Sequence, residues 1–231
     1  MQTVLITGAN RGLGLEFARQ YSNDGFNVIA TCRSESSADA IRSCNKKIEV
    51  HLLDVTDNEE VKSLAKKLSN IRLDILIANA GVMSTKPEEN PEEITETAWM
   101  ESFKVNTIAP LMFARAFVGQ MVNSERGKIV AISSWVSSIQ SNTKGGHYAY
   151  RASKAALNAV WRSFAIDNPE IITALLSPGP LRTDMTKYNE ARWKYLPEPA
   201  ENIAKLRSII ANLKLIDSGC FFHFNGNKLP W

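Results

Sequence analysis

Cysteine, histidine and an excess of one charge are all scarce in this chain of 231 residues. Three cysteines, without a Cys-x-x-Cys spacing, make a disulfide framework unexpected and favour a reducing, cytoplasmic location. Three widely separated histidines predict no metal site. A net charge of +3, without a basic run, predicts no nucleic-acid partner.

Long apolar runs are also missing. No stretch approaches the roughly 18 apolar residues that a membrane span needs, and no basic leader precedes an apolar segment, so we expect neither a membrane partner nor a signal peptide. With 44% hydrophobic and 22% charged residues, the composition excludes global disorder and coiled coil. The length suits one large globular domain over residues 1–231.

Short apolar runs alternate with segments of helical periodicity along the whole chain. This alternation indicates βαβ units, which place strands in parallel and cover both faces of the sheet with helices. We therefore predict an α/β fold, doubly wound, with a seven-stranded parallel sheet. The predicted strands are 4–7, 27–32, 48–53, 73–78, 128–133, 171–176 and 220–224. The predicted helices are 15–21, 36–43, 58–68, 150–166 and 201–213, with a further long helix inside 94–122.

Two segments, 84–91 and 184–199, have little regular pattern. Both follow strand ends, where open α/β sheets bind their ligands. Segment 184–199 contains two prolines and three aromatic residues, and we expect it to form a lid over the substrate.

A glycine-rich turn follows the first predicted strand. Gly8 permits a tight turn, Gly12 lets the backbone approach a pyrophosphate, and Gly14 allows close packing of the next helix. The N-terminus of that helix favours an anion. A plain loop with chance glycines is the alternative, but three glycines in seven residues between a strand and a helix favour a phosphate cradle.

The spacing Gly-x-x-x-Gly-x-Gly, preceded by Thr7, resembles the fingerprint of the short-chain dehydrogenase/reductase family. The resemblance covers nearly the whole chain and implies a Rossmann fold that binds a nicotinamide dinucleotide.

The end of the second strand indicates which nicotinamide cofactor binds. Cys32 occupies the position where NAD-dependent members of the family carry aspartate, and Arg33 follows it. A guanidinium pairs with a 2′-phosphate, whereas a carboxylate would repel it. Arg11 is a second cation at a family position, so we predict NADP(H) in preference to NAD(H). The alternative is that Arg33 only faces solvent.

The resemblance implies further cofactor contacts at three strand ends. Asp54-Val55 matches the pair beside adenine, Asn79-Ala80-Gly81 matches the family's Asn-Ala-Gly motif, and residues 178–183 resemble its Pro-Gly-x-x-x-Thr motif. The predicted cofactor-binding residues are Gly8, Asn10, Arg11, Gly12, Leu13, Gly14, Arg33, Asp54, Val55, Asn79, Ala80, Gly81, Asn106, Tyr150, Lys154, Pro178, Gly179, Leu181 and Thr183.

Tyr150 and Lys154 are four residues apart at the start of a predicted helix, and therefore share one face. A phenol has a pKa near 10, and a neighbouring ammonium is expected to lower it. The pair could then exchange a proton with a carbonyl oxygen. Tyr148 lacks this partner, since Ala152 follows it at the same offset.

Two more residues complete a predicted catalytic tetrad. Ser134 follows the fifth strand and, by the resemblance, donates a hydrogen bond to the substrate oxygen; Ser133 is the alternative. Asn106 lies inside a predicted apolar helix, where an amide needs a partner. The resemblance assigns to it a water-mediated link with Lys154, while an exposed surface amide is the alternative.

Within the family, residues 138–154 and 222–231 resemble sniffer-type carbonyl reductases and bacterial C-factor proteins. Trp135, Val136 and Pro180 depart from that pattern where the substrate should bind, so the substrate stays unassigned.

The resulting hypothesis is an NADP(H)-dependent carbonyl reductase acting on a small-molecule aldehyde or ketone. The alternative is a catalytically silent NAD(P)-binding sensor or signalling protein of the C-factor type. A serine hydrolase is excluded because no Gly-x-Ser-x-Gly elbow occurs. The helices within 94–122 and 150–166 resemble the family's dimer-forming pair, so a homodimer or homotetramer is expected. Their residues Phe113, Phe117 and Trp161 could equally belong to the core.

Overall fold

The computed structural model describes residues 1–84, 91–122 and 127–231 and contains a seven-stranded sheet in the order β3-β2-β1-β4-β5-β6-β7. Every neighbouring pair of strands is parallel. The strands are β1 (Thr3–Ile6), β2 (Asn27–Cys32), β3 (Glu49–Leu52), β4 (Ile75–Ala78), β5 (Lys128–Ile132), β6 (Ile172–Ser177) and β7 (Cys220–His223).

Helices cover both faces of this sheet. Their bounds are α1 (Gly12–Asn23), α2 (Glu35–Cys44), α3 (Asn58–Lys67), α4 (Glu96–Phe103), α5 (Ala109–Val122), α6 (Tyr148–Asp167), α7 (Glu190–Trp193) and α8 (Pro199–Asn212). Within the ranges that the structure describes, no helix combines the length and apolarity needed to cross a membrane.

Alternate residues of the strands enter two separate cores. In β1, Val4 and Ile6 pack with Phe17 of α1 on one face, while Leu5 packs with Trp161 of α6 on the other. A strand buried on both faces must be apolar throughout, which explains its unbroken hydrophobic sequence. The predicted doubly wound α/β fold is confirmed.

The three aromatic residues that could belong either to a dimer interface or to the core are core residues. Phe113, Phe117 and Trp161 are fully buried beneath α5 and α6. They therefore contribute packing energy within the chain and offer no surface to a second copy.

The long helix expected inside 94–122 is interrupted. A π-helical turn, Lys104–Ile108, separates α4 from α5, and the backbone N–H of Ala109 donates to the carbonyl of Lys104. Pro110 has no N–H, so the carbonyl of Asn106 lacks its α-helical donor. The proline thus gives a local reason for the wider turn.

The two irregular segments have different outcomes. Segment 84–91 lies almost wholly outside the described residues. Segment 184–199 contains a short 3-10 turn, Asp184–Thr186, and the single-turn helix α7. The prediction of little regular structure is correct for most of it.

Candidate active site

Loops at the carboxyl ends of the strands enclose a cavity of about 570 Å³. Parallel strands direct all these ends to one edge of the sheet, where α/β folds bind ligands. Every residue that the sequence predicted for the site lines this cavity, except Gly14 and Asn106, which lie behind its wall.

The glycine turn after β1 has the backbone that a phosphate cradle requires. Gly8 and Gly12 have φ angles of +63° and +53°, in the left-handed region that favours glycine. A Cβ on Gly14 would lie 2.3 Å from the carbonyl oxygen of Gly8, so this position admits no side chain. The sequence predicted that Gly14 allows close packing of the helix, and the structure shows that the close contact is between α1 and the backbone of the glycine turn.

Asn79 fastens the glycine turn to the end of β4. Its Nδ2 donates to the carbonyls of Thr7 and Gly8, at 2.9 and 3.0 Å. In return, the Thr7 hydroxyl accepts from the backbone N–H groups of Asn79 and Ala80, at 3.0 and 3.1 Å. This bracing role was not predicted, because it depends on β1 and β4 being neighbours in the sheet.

Asp54 and Arg33 lie at the end of the cavity formed by the loops after β2 and β3. Arg33 is exposed there, as its predicted contact with a phosphate requires. Burial by itself raises the pKa of the Asp54 carboxyl. Hydrogen bonds from Thr56 and the positive charges of Arg33 and Lys104 together lower this pKa by more, so the net shift is downward. Asp54 is therefore an anion at neutral pH.

Arg11 has a partner that the sequence did not indicate. Its Nη1 lies 3.0 Å from Oδ2 of Asp184, in the loop after β6, and both side chains are more than half exposed. The second predicted phosphate ligand thus connects the glycine turn to segment 184–199.

Tyr150 and Lys154 share one face of α6, as predicted, and both line the cavity. Lys154 is only 4% exposed, and its Nζ donates to the carbonyl of Ile132 at 2.7 Å. Tyr148 starts the helix but lies outside the cavity lining, with 45% of its surface exposed. The structure therefore separates the two tyrosines as the offset to lysine suggested.

Burial dominates the acidity of both groups. It raises the pKa of Tyr150 to about 12, against a lowering effect from a hydrogen bond with Ser134. It lowers the pKa of Lys154 to about 7. The expected lowering of the Tyr150 pKa by Lys154 is therefore not seen in this structure, because desolvation is the largest effect on each group.

The two candidate serines occupy different environments. Ser133 is buried, and its Oγ donates to Oδ1 of Asn158 at 2.7 Å. Ser134 lies partly exposed at the cavity and hydrogen-bonds to the Tyr150 side chain. The geometry favours Ser134, since Ser133 is already engaged in the packing of α6.

The Asn106 side chain is fully buried and does not reach the cavity. Its Oδ1 accepts from the backbone N–H of Val82 at 2.9 Å, and its Nδ2 donates to the carbonyl of Val82 at 2.8 Å and to Ser153 Oγ at 3.0 Å. The alternative of an exposed amide is wrong. The buried amide has the partner it needs, in the loop that follows β4.

Several cavity residues were not predicted from the sequence. His147, immediately before α6, has φ +53° without being glycine. Its neighbour Arg151 donates to the carbonyls of Gly146 and Val136, at 3.0 and 2.7 Å, and so ties this turn to the loop after β5. Only tertiary contacts reveal these roles. The lining also includes Cys32, which the sequence placed beside the cofactor, and Met185, Tyr188, Asn189, Arg192 and Leu196 of the segment predicted as a lid. Lining residues that the sequence did not single out include Ser34, Ser37, Val82 and Met83.

The cavity suits an organic dinucleotide. Its glycine turn leaves backbone open to an anion, and the tyrosine–lysine pair faces the same space. Over the described stretches, no cluster of three or more histidine, cysteine, aspartate or glutamate side chains could hold a metal ion.

Comparison with known proteins agrees with this geometry. The family model described as short chain dehydrogenase matches residues 2–193. The chain belongs to the short-chain dehydrogenase/reductase family and is an oxidoreductase of that class. Its sequence is 34% identical over 235 residues to the 1-hydroxy-2-glutathionyl-2-methyl-3-butene dehydrogenase of Rhodococcus sp. (strain AD45), covering 100% of both chains. It is also 32% identical over 173 residues to the C-signal protein of Myxococcus xanthus, covering 74% of this chain and 100% of that one.

Solved structures show the same fold. The carbonyl reductase Sniffer of D. melanogaster superposes with a TM-score of 0.89 at 26% identity, and 100% of both chains is covered. The NADPH-bound carbonyl reductase from chicken fatty liver gives 0.89 at 29% identity, covering 100% of this chain and 99% of that one. The resemblances to sniffer-type reductases and C-factor proteins are thereby confirmed.

Proposed function

We propose that this protein is an NADP(H)-dependent carbonyl reductase that converts an aldehyde or ketone to an alcohol. The observation that carries the proposal is the shared cavity of Tyr150, Lys154 and Ser134 with an open glycine turn. A protein that only bound the nucleotide would not need a buried lysine one helical turn from a tyrosine.

The residues divide into those that hold the cofactor and those that act on the substrate. The turn from Gly8 to Gly14 would hold the pyrophosphate, Asp54 and Asn79-Ala80-Gly81 the adenosine side, and the loop 178–183 the nicotinamide. When bound, the nicotinamide supplies or accepts the hydride. Segment 184–199 would act as the lid of a single domain over residues 1–231.

Ser134 and Tyr150 act on the carbonyl oxygen. Ser134 donates a hydrogen bond that polarises the carbonyl, and Tyr150 donates the proton that completes the alcohol. A pKa of about 12 keeps Tyr150 protonated at neutral pH, which suits its role as the acid in the direction of reduction.

Lys154 and Asn106 support this proton transfer. The positive form of Lys154 stabilises the phenolate that remains after Tyr150 has donated its proton. In this proposal the Asn106 side chain positions the loop after β4 through Val82. Pro110 has no N–H to donate to the Asn106 backbone carbonyl, and that carbonyl would accept a hydrogen bond from a water that links it to Lys154.

The preference for NADP(H) rests on Arg33 and on Cys32 in place of an acid. Arg11 contributes only when it leaves Asp184. We expect Arg33→Ala to weaken NADPH binding about tenfold, because it removes a charge-assisted hydrogen bond, and to leave NADH binding unchanged. Titration by the fluorescence of each reduced cofactor measures both constants; a wild-type preference for NADH would overturn the assignment.

Tyr150→Phe is the test of the reaction itself. With a panel of aldehydes and ketones, it should lower kcat by about a hundredfold or more while NADPH binding stays unchanged. Tyr148→Phe is the matched control and should keep full activity, because that tyrosine lies outside the cavity. Oxidation of NADPH is followed by its absorbance.

A nucleotide-binding signalling protein is the second candidate, and the similarity to C-signal over that protein's full length supports it. This function predicts NADPH binding without turnover of any carbonyl compound. It also predicts that Tyr150→Phe changes nothing.

The proposal includes a cytoplasmic location and a homodimer or homotetramer through α5 and α6. Because Phe113, Phe117 and Trp161 are buried, the contact must use the outer residues of these helices, such as Ile108 at the preceding π turn, which is exposed. Sedimentation equilibrium measures the assembly state, and Ile108→Glu should shift it towards the monomer.

A further inference from the structure

The segment 184–199 forms one wall of the cavity and crosses it from the glycine turn to the catalytic tyrosine. Asp184 is fixed at one end by Arg11, at 3.0 Å. Tyr188 lies near Tyr150, whose pKa it helps to raise, and its ring is 6.4 Å from that of His147. The residues that follow Tyr188 therefore lie on the Tyr150 side of the cavity, where the proposed reaction would place the substrate.

Arg182 and Lys187, beside and on this wall, are engaged. Arg182 pairs with Glu198 and lies over the ring of Trp193, and Lys187 lies 6.0 Å from the centre of the same ring. Arg192 lines the cavity, yet within the described ranges its guanidinium forms no ion pair and no hydrogen bond.

The backbone of Arg192 is nevertheless held in place. Its N–H donates to Oδ1 of Asn189 at 3.0 Å, which caps α7. The next residue, Trp193, donates from Nε1 to the carbonyl of Thr183 at 2.9 Å and so binds α7 to the loop after β6. A guanidinium on a fixed backbone loses less entropy when it binds a ligand than one on a free loop.

No acidic side chain of the described cavity lining is paired with Arg192. The acids of that lining are Asp54 and Asp184. Asp54 accepts two hydrogen bonds from Thr56 at the far end of the cavity, and Asp184 pairs with Arg11. The charge of Arg192 is therefore available to an anion that enters the cavity.

Apolar surface lies on the same side. Trp135, Met185 and Tyr188 line the cavity while 38%, 38% and 39% of their surfaces stay exposed. Large apolar side chains exposed inside a cavity are typical of a ligand-binding surface.

We infer that the substrate is amphipathic: an apolar carbonyl compound that carries a carboxylate, with Arg192 as the residue that binds this carboxylate. The inference rests on the proposed reductase function and names the class of substrate. A planar guanidinium binds a carboxylate through two parallel hydrogen bonds, which also restrict the orientation of the bound molecule in the cavity that Arg192 shares with Tyr150.

Two aldehydes of similar size that differ in one negative charge test the inference, and the intrinsically more electrophilic one is the neutral ester. 4-Carboxybenzaldehyde carries the anion, and methyl 4-formylbenzoate replaces it with a neutral ester. At low salt, wild-type protein should reduce the carboxylate with the higher kcat/KM. Arg192→Gln should lower that value about tenfold, mainly through KM, and leave the ester within about twofold. Arg192→Lys should restore part of the loss.

Lys194→Gln is the matched control, since Lys194 is exposed on the same segment outside the cavity lining. It should change neither substrate's kcat/KM. Equal wild-type values for the acid and the ester would overturn the inference. So would a rise in the KM for NADPH in Arg192→Gln with an unchanged acid-to-ester ratio, because Arg192 would then bind a cofactor phosphate.

Binding of the product alcohols separates this inference from the reaction. With NADPH present, 4-(hydroxymethyl)benzoate and its methyl ester cannot react, and ligand-observed NMR gives their Kd values. A preference for the acid that Arg192→Gln abolishes supports the inference even if no aldehyde is reduced, in which case only the proposed reaction fails. Equal Kd values for the two alcohols in wild-type protein would overturn it.

Discussion

At the scale of single residues, Lys154 shows how the site is maintained at a cost in stability. An unfolded lysine has a pKa near 10.4, whereas burial lowers that of Lys154 to about 7. Between these values the unfolded chain binds more protons than the folded one, so this group's contribution to stability rises with pH and is lost as pH falls towards 7. Proton uptake by the buried amine thus opposes folding at neutral and acidic pH.

Lys154→Met should therefore stabilise the protein in a pH-dependent way. We expect its gain in unfolding free energy over wild type to be larger at pH 6 than at pH 10, by about 2–4 kcal/mol, because methionine never charges. Urea denaturation of both proteins at the two pH values measures this difference. The same gain at both pH values would contradict the lowered pKa.

Gly14 at the glycine turn and Gly119 in α5 are two helical glycines whose replacement by alanine should have opposite effects on stability. A Cβ at Gly14 would meet the Gly8 carbonyl oxygen, whereas a Cβ at Gly119 in α5 meets nothing within 4 Å. Gly14→Ala should cost about 1–3 kcal/mol and weaken NADPH binding, since backbone must move. Gly119→Ala should stabilise by about 0.4–1 kcal/mol. Denaturation and cofactor titration test both; a neutral Gly14→Ala would contradict the close approach.

Sequence identified the residues whose chemistry is unusual by itself. Gly8, Tyr150 and Lys154 could be found because a left-handed turn or a helical offset depends on neighbours along the chain. Asn79 was predicted as a cofactor contact, but its role in fastening the glycine turn was not, and Arg192 was not singled out. Both features come from partners, or a lack of partners, that only the folded chain defines.

At the scale of elements, the π turn between α4 and α5 is the feature that hydrophobic periodicity does not predict. Apolar residues recur on both sides of it, so the pattern suggests one helix. The signal that was available is Pro110, which cannot donate to the carbonyl of Asn106. Strand positions were predicted more closely, because strands buried on both faces form short apolar runs with abrupt ends.

Pro110→Ala tests the function of this turn. Alanine supplies an N–H that can bond the carbonyl of Asn106 and so removes the acceptor proposed for the catalytic water. We expect kcat to fall about tenfold, with unchanged NADPH binding and an altered solvent isotope effect. Pro199→Ala is the control, since Pro199 begins α8, where a backbone N–H has no helical partner. Equal kcat values in both variants would exclude the role of the carbonyl.

At the scale of the whole molecule, Trp231 connects β7 to the loop that follows Ser134. Its carbonyl accepts from the N–H of Gln140 and the hydroxyl of Ser138, both at 3.0 Å. Its ring stacks on Phe221, with ring centres 6.1 Å apart. Trp231 therefore restrains residues 138–140, which follow the cavity-lining residues 132–136.

Trp231→Ala should lower the free energy of unfolding by about 1 kcal/mol, because the stacked pair is lost. The amide of Gln140 should also exchange with deuterium faster than in wild type, since its acceptor is less firmly held. Hydrogen exchange followed by NMR resolves this one amide, and unchanged protection would show that Trp231 does not restrain the loop.

The position of β1 in the middle of the sheet, between β2 and β4, limits how early during synthesis the sheet can form. Val4 pairs with Val28 of β2 on one side and with Ile75 of β4 on the other. A nascent chain on the ribosome has therefore exposed its glycine turn long before Asn79, which fastens that turn, has been synthesised. Pairing between strands so far apart in sequence slows folding, and a chain truncated before β4 would leave the glycine turn without the hydrogen bonds of Asn79.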